Sequence, residues 1–193
     1  MNDKLNEKFE QALVYATKLH QKQTRKGTEK IPYIAHLLGV TAIVLENGGG
    51  EVEAIAALLH DAVEDQGGMA TLEDIRNKFG EQVANIVEGC SDSFTTPKPP
   101  WKERKERYLS HLPHVSKEIR LVSIADKIYN VKSIIDTYRK IGEETWKRFN
   151  GGREGTLWYY QSVTNIYFSM EQDFLANELK RIVHELVVIS STH

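Results

Sequence analysis

An ionisable cluster follows one of the most apolar stretches of this 193-residue sequence. The run Ile55-Ala56-Ala57-Leu58-Leu59 leads directly into His60-Asp61, and Glu64-Asp65 come after only two apolar residues. A buried carboxylate is costly unless it is paired or coordinates a metal. On one continuous helix, His60 and Glu64 would project together, as would Asp61 and Asp65, because four residues make about one turn. We therefore predict that this cluster binds a cation.

Two more residues with metal-ligand chemistry interrupt apolar segments elsewhere. His36 stands between Tyr33-Ile34-Ala35 and Leu37-Leu38, and Asp126 follows Ile124-Ala125. Such a residue taken alone is more often a satisfied core histidine or a helix-capping aspartate. The coincidence of three interruptions in three apolar segments favours a metal centre instead.

The ligand types restrict the metal and its use. Imidazole and carboxylate groups suit a divalent ion such as Mn²⁺, Fe²⁺, Mg²⁺ or Zn²⁺. A set of two histidines and two aspartates leaves coordination positions open for water and substrate, as in catalytic rather than structural sites. The predicted ligands are His36, His60, Asp61 and Asp126.

Helical periodicity dominates the segments that must position these residues, and no convincing strand pattern occurs. We predict an all-α, single-domain helical bundle. Helices are predicted over residues 3–23, 33–46, Glu51 to about Glu64, a short segment opened by a Thr71/Asp74 capping box and closed by Gly80, 81–91, about 117–140 with Ser116 as its cap, and from near Thr156 with breaks to Val188. Thr95 to Pro100 is proline-rich and predicts an extended loop.

Composition narrows the function classes. The length favours one domain over residues 1–193, and no apolar run approaches the roughly 20 residues of a membrane span. The N-terminus lacks a secretory pattern and Cys90 is the only cysteine, which favours the cytoplasm. A net charge of −2 argues against nucleic-acid or membrane partners. The aromatic run 157–160 fits the core or a subunit contact, so a homo-oligomer stays open.

These residues resemble the HD superfamily of metal-dependent phosphohydrolases. The order His36, then His60-Asp61, then Asp126 is similar to its four-ligand pattern, which implies one divalent metal in a bundle of helices. The flanking motifs resemble the hydrolase domain of RelA/SpoT proteins, and above all the small stand-alone (p)ppGpp hydrolases. The resemblance covers about residues 8–140, and residues 141–193 are predicted to form a C-terminal helical extension without an assigned motif.

The resemblance also implies roles for the neighbouring residues. Glu64 and Asp65 would position and deprotonate the attacking water. Arg25 and Lys26 would contact the nucleotide base and its phosphates, and Asn130 the ribose or phosphate side. The usual ion is Mn²⁺, and one ion is expected because no histidine lies between Asp61 and His111. The implied reaction removes the 3′-pyrophosphate from ppGpp or pppGpp.

Two positions depart from the family pattern. The family often has lysine three residues before the metal-binding aspartate, where this chain has Ser123, and threonine after the His-Asp pair, where it has Ala62. A cation lost beside a polyphosphate changes which phosphate is held. The sequence therefore leaves open an HD 5′-nucleotidase or deoxynucleotidase, an NADPH 2′-phosphatase, and a non-catalytic nucleotide sensor. The intact Glu64-Asp65 pair favours an enzyme over the sensor.

Overall fold

The computed structural model describes residues 5–27, 30–95 and 97–191, and these residues confirm the all-α class. Ten α-helices follow in order: α1 (Glu7–Leu19), α2 (Ile34–Glu46), α3 (Glu51–Leu59), α4 (Ala62–Gln66), α5 (Met69–Phe79), α6 (Glu81–Cys90), α7 (Trp101–His111), α8 (Lys117–Ile141), α9 (Gly152–Met170) and α10 (Phe174–Ser191). Short 3₁₀ helices cover Leu112–His114 and Gly142–Arg148. No strand occurs in the described ranges, which contain one isolated bridge between Thr24 and Pro32.

The described residues group into two compact units. The first comprises the chain through Pro99 together with Val115–Ala125. The second comprises Pro100–His114 and the chain from Asp126 onward. The first nine residues of helix α8 therefore belong to the first unit, and the rest of the helix belongs to the second.

Helix α3 is the centre of the first unit. It packs against α1, α2 and α6, and every residue from Ala54 to Leu59 is buried. A helix that is apolar on all sides is stable only when neighbours cover all of it. Its N-terminus is fixed by the Glu53 carboxylate, which accepts from the Gly50 N–H at 2.8 Å.

The predicted helix from Glu51 to Glu64 is wrong in one respect, because it is broken at His60-Asp61. The α3 helix ends at Leu59 and α4 begins at Ala62. The His60 ring donates from Nδ1 to the Ala57 carbonyl at 2.8 Å, and Asp61 adopts φ −95° and ψ −3°, which departs from regular helix. The two candidate ligands therefore occupy a turn between two helices rather than the face of one.

Two other helix starts differ from the sequence-based predictions. The first helix begins at Glu7, where the Asn6 side chain accepts from the Lys8 N–H at 2.8 Å; residues 3 and 4 lie outside the described ranges. The Thr71/Asp74 capping box does not form. Helix α5 instead begins after Gly68, whose φ of +62° favours glycine, and Thr71 is a buried helical residue that bonds the Gln66 carbonyl.

The remaining predicted boundaries lie within about one helical turn of those observed: α1 ends at Leu19 instead of residue 23, and α9 begins at Gly152 instead of near Thr156. Gly80 ends α5, and the Ser116 hydroxyl accepts from the Ile119 N–H at the start of α8. In the second unit α9 packs against α7 and α10, and the long C-terminal helix predicted with breaks is interrupted at 171–173. Among the described helices, none is long and apolar enough to cross a bilayer.

Candidate metal centre and active site

Three of the predicted ligands bring their ligating atoms together within the first unit. His36 Nε2 lies 3.3 Å from His60 Nε2 and 3.3 Å from Asp61 Oδ2. His60 Nε2 lies 3.1 Å from the same Asp61 oxygen. His36 enters from the first turn of α2, and the other two enter from the turn between α3 and α4.

The spacing of these three atoms fits the coordination shell of one small divalent ion. With bonds of about 2.0 to 2.2 Å, neighbouring ligand atoms are about 2.8 to 3.1 Å apart in an octahedral shell and about 3.3 to 3.6 Å apart in a tetrahedral one. The observed separations of 3.1 to 3.3 Å lie in that range. The two histidines are buried and Asp61 is partly exposed, so Asp61 is the member of this cluster that solvent reaches.

The His60 imidazole is held in the tautomer that metal binding requires. Its Nδ1 donates to the Ala57 main-chain carbonyl at 2.8 Å, which leaves the Nε2 lone pair directed toward His36 and Asp61. An acceptor on the far ring nitrogen is the usual support of a metal-ligating histidine.

Tyr33 supports Asp61 in the same manner. Its hydroxyl donates to Asp61 Oδ2 at 2.6 Å. Burial and the Asp61 charge together raise the pKa of Tyr33, so the hydroxyl keeps its proton and acts as a donor. Burial would raise the pKa of Asp61, but His60 and His36, which carry positive charge when they are protonated, outweigh it and hold that pKa well below its usual value. Asp61 is thus a carboxylate, as metal binding requires.

The predicted carboxylate pair lies on α4, one turn beyond the ligands. Glu64 and Asp65 both bind the ammonium group of Lys98, with Nζ–O distances of 2.9 Å. Burial alone would lower the pKa of Lys98, but the two carboxylates raise it above its ordinary value. The side chains of the pair are 22% and 24% exposed, which leaves them accessible to water.

The basic loop between α1 and α2 is closed at its base by main-chain hydrogen bonds. The Arg25 N–H donates to Ile31 at 2.9 Å, and the Tyr33 N–H donates to Gln23 at 3.0 Å. The Arg25 guanidinium lies over the Tyr33 ring, 5.7 Å from its centroid, and Lys26 is exposed. Arg25 is thereby linked through Tyr33 to Asp61.

Asp126 is a buried residue of the second unit. One oxygen accepts from Lys127 and the other from the Asn130 amide, both at 2.5 Å. Burial would lower the pKa of Lys127, but Asp126 holds it well above its usual value, so the pair is ionised. Asn130, predicted from the sequence to contact substrate, orients Asp126 in this structure.

Three residues of this site were not recognised as functional from the sequence: Gln23, Tyr33 and Lys98. Tyr33 stands three residues before His36, but an aromatic residue at the start of a helix carries no signal of a bond to Asp61. Lys98 is 34 residues from Glu64 in a proline-rich loop, where no periodic pattern applies.

Comparison with protein-family models identifies the family of this chain. The HD domain model matches residues 12–157, about three quarters of the chain. The chain belongs to the HD domain family. HD hydrolases are metal-dependent, and this HD protein has a His–His–Asp cluster of suitable spacing.

Its relatives include several proteins named MESH1. The HD chain is 44% identical over 126 residues to the guanosine-3′,5′-bis(diphosphate) 3′-pyrophosphohydrolase MESH1 of Xenopus tropicalis, covering 64% of this chain and 68% of the relative. The human protein of the same name is 40% identical over the same shares. A solved structure of a metazoan SpoT orthologue described as hydrolysing ppGpp matches with a TM-score of 0.79 at 24% identity, over 95% of this chain and 97% of that one. That last likeness supports the HD fold.

Proposed function

We propose that this protein is a metal-dependent hydrolase that removes the 3′-pyrophosphate from ppGpp or pppGpp. The observation that carries the proposal is the convergence of His36 Nε2, His60 Nε2 and Asp61 Oδ2 in a chain of the HD family. The 44% identity to a curated guanosine-3′,5′-bis(diphosphate) 3′-pyrophosphohydrolase supports the substrate class.

The proposed metal ligands are His36, His60, Asp61 and Asp126. Of these, His36, His60 and Asp126 are buried, as ligands shielded from solvent should be. We propose Mn²⁺ as the ion, with Fe²⁺, Mg²⁺ and Zn²⁺ as candidates that the same donor types accept. A bound divalent ion supplies positive charge, which lowers the pKa of water and offsets charge on a phosphoryl oxygen.

Glu64 and Asp65 are proposed to orient the attacking water and to accept its proton. Two adjacent carboxylates can share one proton, and Lys98 offsets part of their charge. The water oxygen bonds to the phosphorus attached to the 3′ oxygen, and the bond from that phosphorus to the 3′ oxygen breaks. The products are pyrophosphate and a nucleotide whose 3′ oxygen has taken up a proton.

Arg25, Lys26 and Asn130 are the proposed substrate-binding residues. Arg25 and Lys26 lie in the loop that leads to Tyr33 and His36, so bound phosphates would meet positive charge on that side. An asparagine amide has two N–H donors and an acceptor oxygen, the types of group that hydrogen-bond a ribose or a phosphate, and Asn130 donates one N–H to Asp126.

The test is hydrolysis by purified, metal-free protein with Mn²⁺ added back. We expect ppGpp to yield GDP and pyrophosphate, chelation to abolish turnover, and Glu64→Gln to abolish turnover while the metal stays bound. Turnover that survives chelation would remove the metal from the mechanism. Unchanged activity of the variant would remove Glu64.

A nucleotide panel separates the alternatives. Hydrolysis of 5′-monophosphates without hydrolysis of ppGpp would identify a 5′-nucleotidase, and preferred release of phosphate from NADPH would identify a 2′-phosphatase. Binding of ppGpp without turnover of any nucleotide would identify a sensor. The panel also tests the two family departures, Ser123 and Ala62, which are 1% and 0% exposed.

We propose that residues 1–193 act as one HD domain, that the protein works in the cytoplasm, and that it acts on a small nucleotide rather than on nucleic acid or membrane. Sedimentation of the purified protein would test whether it forms a homo-oligomer.

A further inference from the structure

We propose that His20 is a positioning residue that holds two carboxylates of the proposed active site, Asp61 through Tyr33 and Asp65 through Gln23. The inference rests on the proposed function and extends it to residues that touch neither the metal nor the phosphate. Taken from the sequence alone, His20 is an ordinary histidine at the end of an amphipathic helix. Its contacts in the first unit assign it a specific role.

The first branch leads to the metal cluster. The His20 ring stacks on the Tyr33 ring, with centroids 5.2 Å apart and planes 17° apart. Tyr33 in turn donates to Asp61 Oδ2 at 2.6 Å, the same oxygen that faces His36 and His60. The stack therefore fixes the ring whose hydroxyl holds a candidate metal ligand.

The second branch leads to the carboxylate pair. His20 Nδ1 lies 2.7 Å from Gln23 Oε1, and Gln23 Nε2 donates to Asp65 Oδ2 at 2.8 Å. Gln66 Nε2 also donates to the Gln23 oxygen, at 2.5 Å. Because that amide oxygen accepts and its nitrogen donates to a carboxylate, His20 must carry its proton on Nδ1. The orientation of the whole chain of donors is thus determined.

The state of His20 agrees with this role. Only 2% of the residue is exposed, and Nε2 has no hydrogen-bond partner among the described residues. Burial lowers the pKa of His20 against the opposing effect of Gln23, so the ring is neutral at pH 7. A buried polar atom without a partner is costly, and an apolar residue would avoid that cost. The Nδ1 donor and the ring face are the two features that an apolar residue could not supply together.

The two branches predict separable defects. Tyr33→Phe keeps the ring and removes the bond to Asp61, so the dissociation constant for Mn²⁺ should rise about 10-fold with kcat at saturating Mn²⁺ changed less than about 3-fold. Gln23→Leu removes the bond to Asp65, so kcat should fall about 10-fold with Mn²⁺ affinity within about 2-fold. Matched controls are Tyr15→Phe, which removes a tyrosine bond to Asp74, and Gln11→Leu on the exposed side of α1.

His20 itself is tested by two substitutions. His20→Phe keeps a ring against Tyr33 and loses the Nδ1 donor, so it should reproduce the kcat loss of Gln23→Leu. His20→Asn keeps an amide donor near the Nδ1 position and loses the ring, so it should recover kcat and weaken Mn²⁺ binding instead. Melting temperatures verify that each variant folds. If His20→Phe does not fold, the Mn²⁺ affinity and kcat of His20→Asn provide the test.

Measurements without turnover keep this inference distinct from the proposed function. Nitrogen-15 spectra of the histidine rings should show His20 neutral with the proton on Nδ1, and Gln23→Leu should shift that signal. If the wild-type protein hydrolyses none of the nucleotides, the proposed function fails. The Mn²⁺ titrations and the spectra would still show whether His20 positions Tyr33 and Gln23. Wild-type kcat and Mn²⁺ affinity in both His20 variants, or a proton on Nε2, would overturn the role of His20.

Discussion

Lys98 donates to the carboxylate of Glu64, with 2.9 Å between Nζ and Oε1, although 34 residues separate them in the chain. The same ammonium group binds Asp65 Oδ1 at the same distance. A cation from a proline-rich loop therefore holds the two carboxylates that are proposed to handle the attacking water. The pair is partly buried, which makes the interaction less screened than a surface ion pair.

We predict that Lys98→Met lowers kcat about 10-fold, because both carboxylates lose the cation that fixes their orientation. Lys98→Arg keeps the charge and should retain more activity than the methionine variant. The measurement is steady-state hydrolysis of ppGpp at saturating Mn²⁺. Lys147→Met is the matched control, since it removes an ion pair of a side chain that is 75% exposed. Faster turnover in Lys98→Met would mean that Lys98 blocks the pair instead of positioning it.

Metal binding should stabilise the folded protein. A ligand present at 100 times its dissociation constant adds about 2.7 kcal/mol to the free energy of unfolding. For a chain of this size we expect a rise in melting temperature of about 5 to 10 °C on adding Mn²⁺ to metal-free protein, reversed by EDTA. His60→Ala should abolish the rise and exposed His114→Ala should preserve it. A rise of equal size in His60→Ala would remove His60 from the ligand set.

The substitution Asn130→Ala tests whether Asn130 orients the proposed metal ligand Asp126 or contacts the substrate. Asn130 donates to Asp126 Oδ1 at 2.5 Å, so we expect its loss to raise the dissociation constant for Mn²⁺ about 10-fold. The control is Asn177→Ala, which removes a bond from an asparagine of α10 to the Asp173 carbonyl just before that helix. Calorimetric titration measures the affinity. A raised KM for ppGpp with unchanged metal affinity would favour substrate contact alone.

The free energy of unfolding should depend on pH through His20. Its pKa in the folded state is lowered by burial, whereas the unfolded chain has the ordinary value of about 6.5. Below that pH the unfolded chain takes up a proton that the folded ring resists, so stability present above pH 6.5 is lost as pH falls toward the folded-state pKa.

Urea denaturation of metal-free protein between pH 7.5 and pH 5 measures this dependence. We expect the stability of the wild-type protein to fall toward acidic pH more than that of His20→Phe. The difference should stay below about 1.4 kcal/mol per pH unit, the limit for one proton. A difference between the two proteins that does not change with pH would contradict the assignment.

The all-α class and the proximity of His36, His60 and Asp61 could be predicted because both leave local signals. Apolar patterns identified α2 and α3. His36 was conspicuous as a polar residue inside an apolar segment, and His60 and Asp61 as polar residues at the end of another. Interruptions of that kind are costly, so each one calls for an explanation within its own segment.

The supporting residues could not be predicted, because their contacts join distant segments. Gln23 and Lys98 reach Asp65 across 42 and 33 residues, and neither contact follows a helical period. The break between α3 and α4 was missed for a different reason. At the break the His60 side chain bonds the main chain of its own turn, a contact that residue propensities do not describe.

The bond from His60 to the Ala57 carbonyl has a consequence for how this site tolerates sequence change. Its acceptor is a main-chain atom, so no side-chain substitution at position 57 can delete it. The orientation of the His60 ring therefore depends on the main chain at the end of α3. Alanine substitutions at neighbouring positions would not reveal this acceptor. A single residue inserted or deleted between Ala57 and His60 would move the ring away from this acceptor.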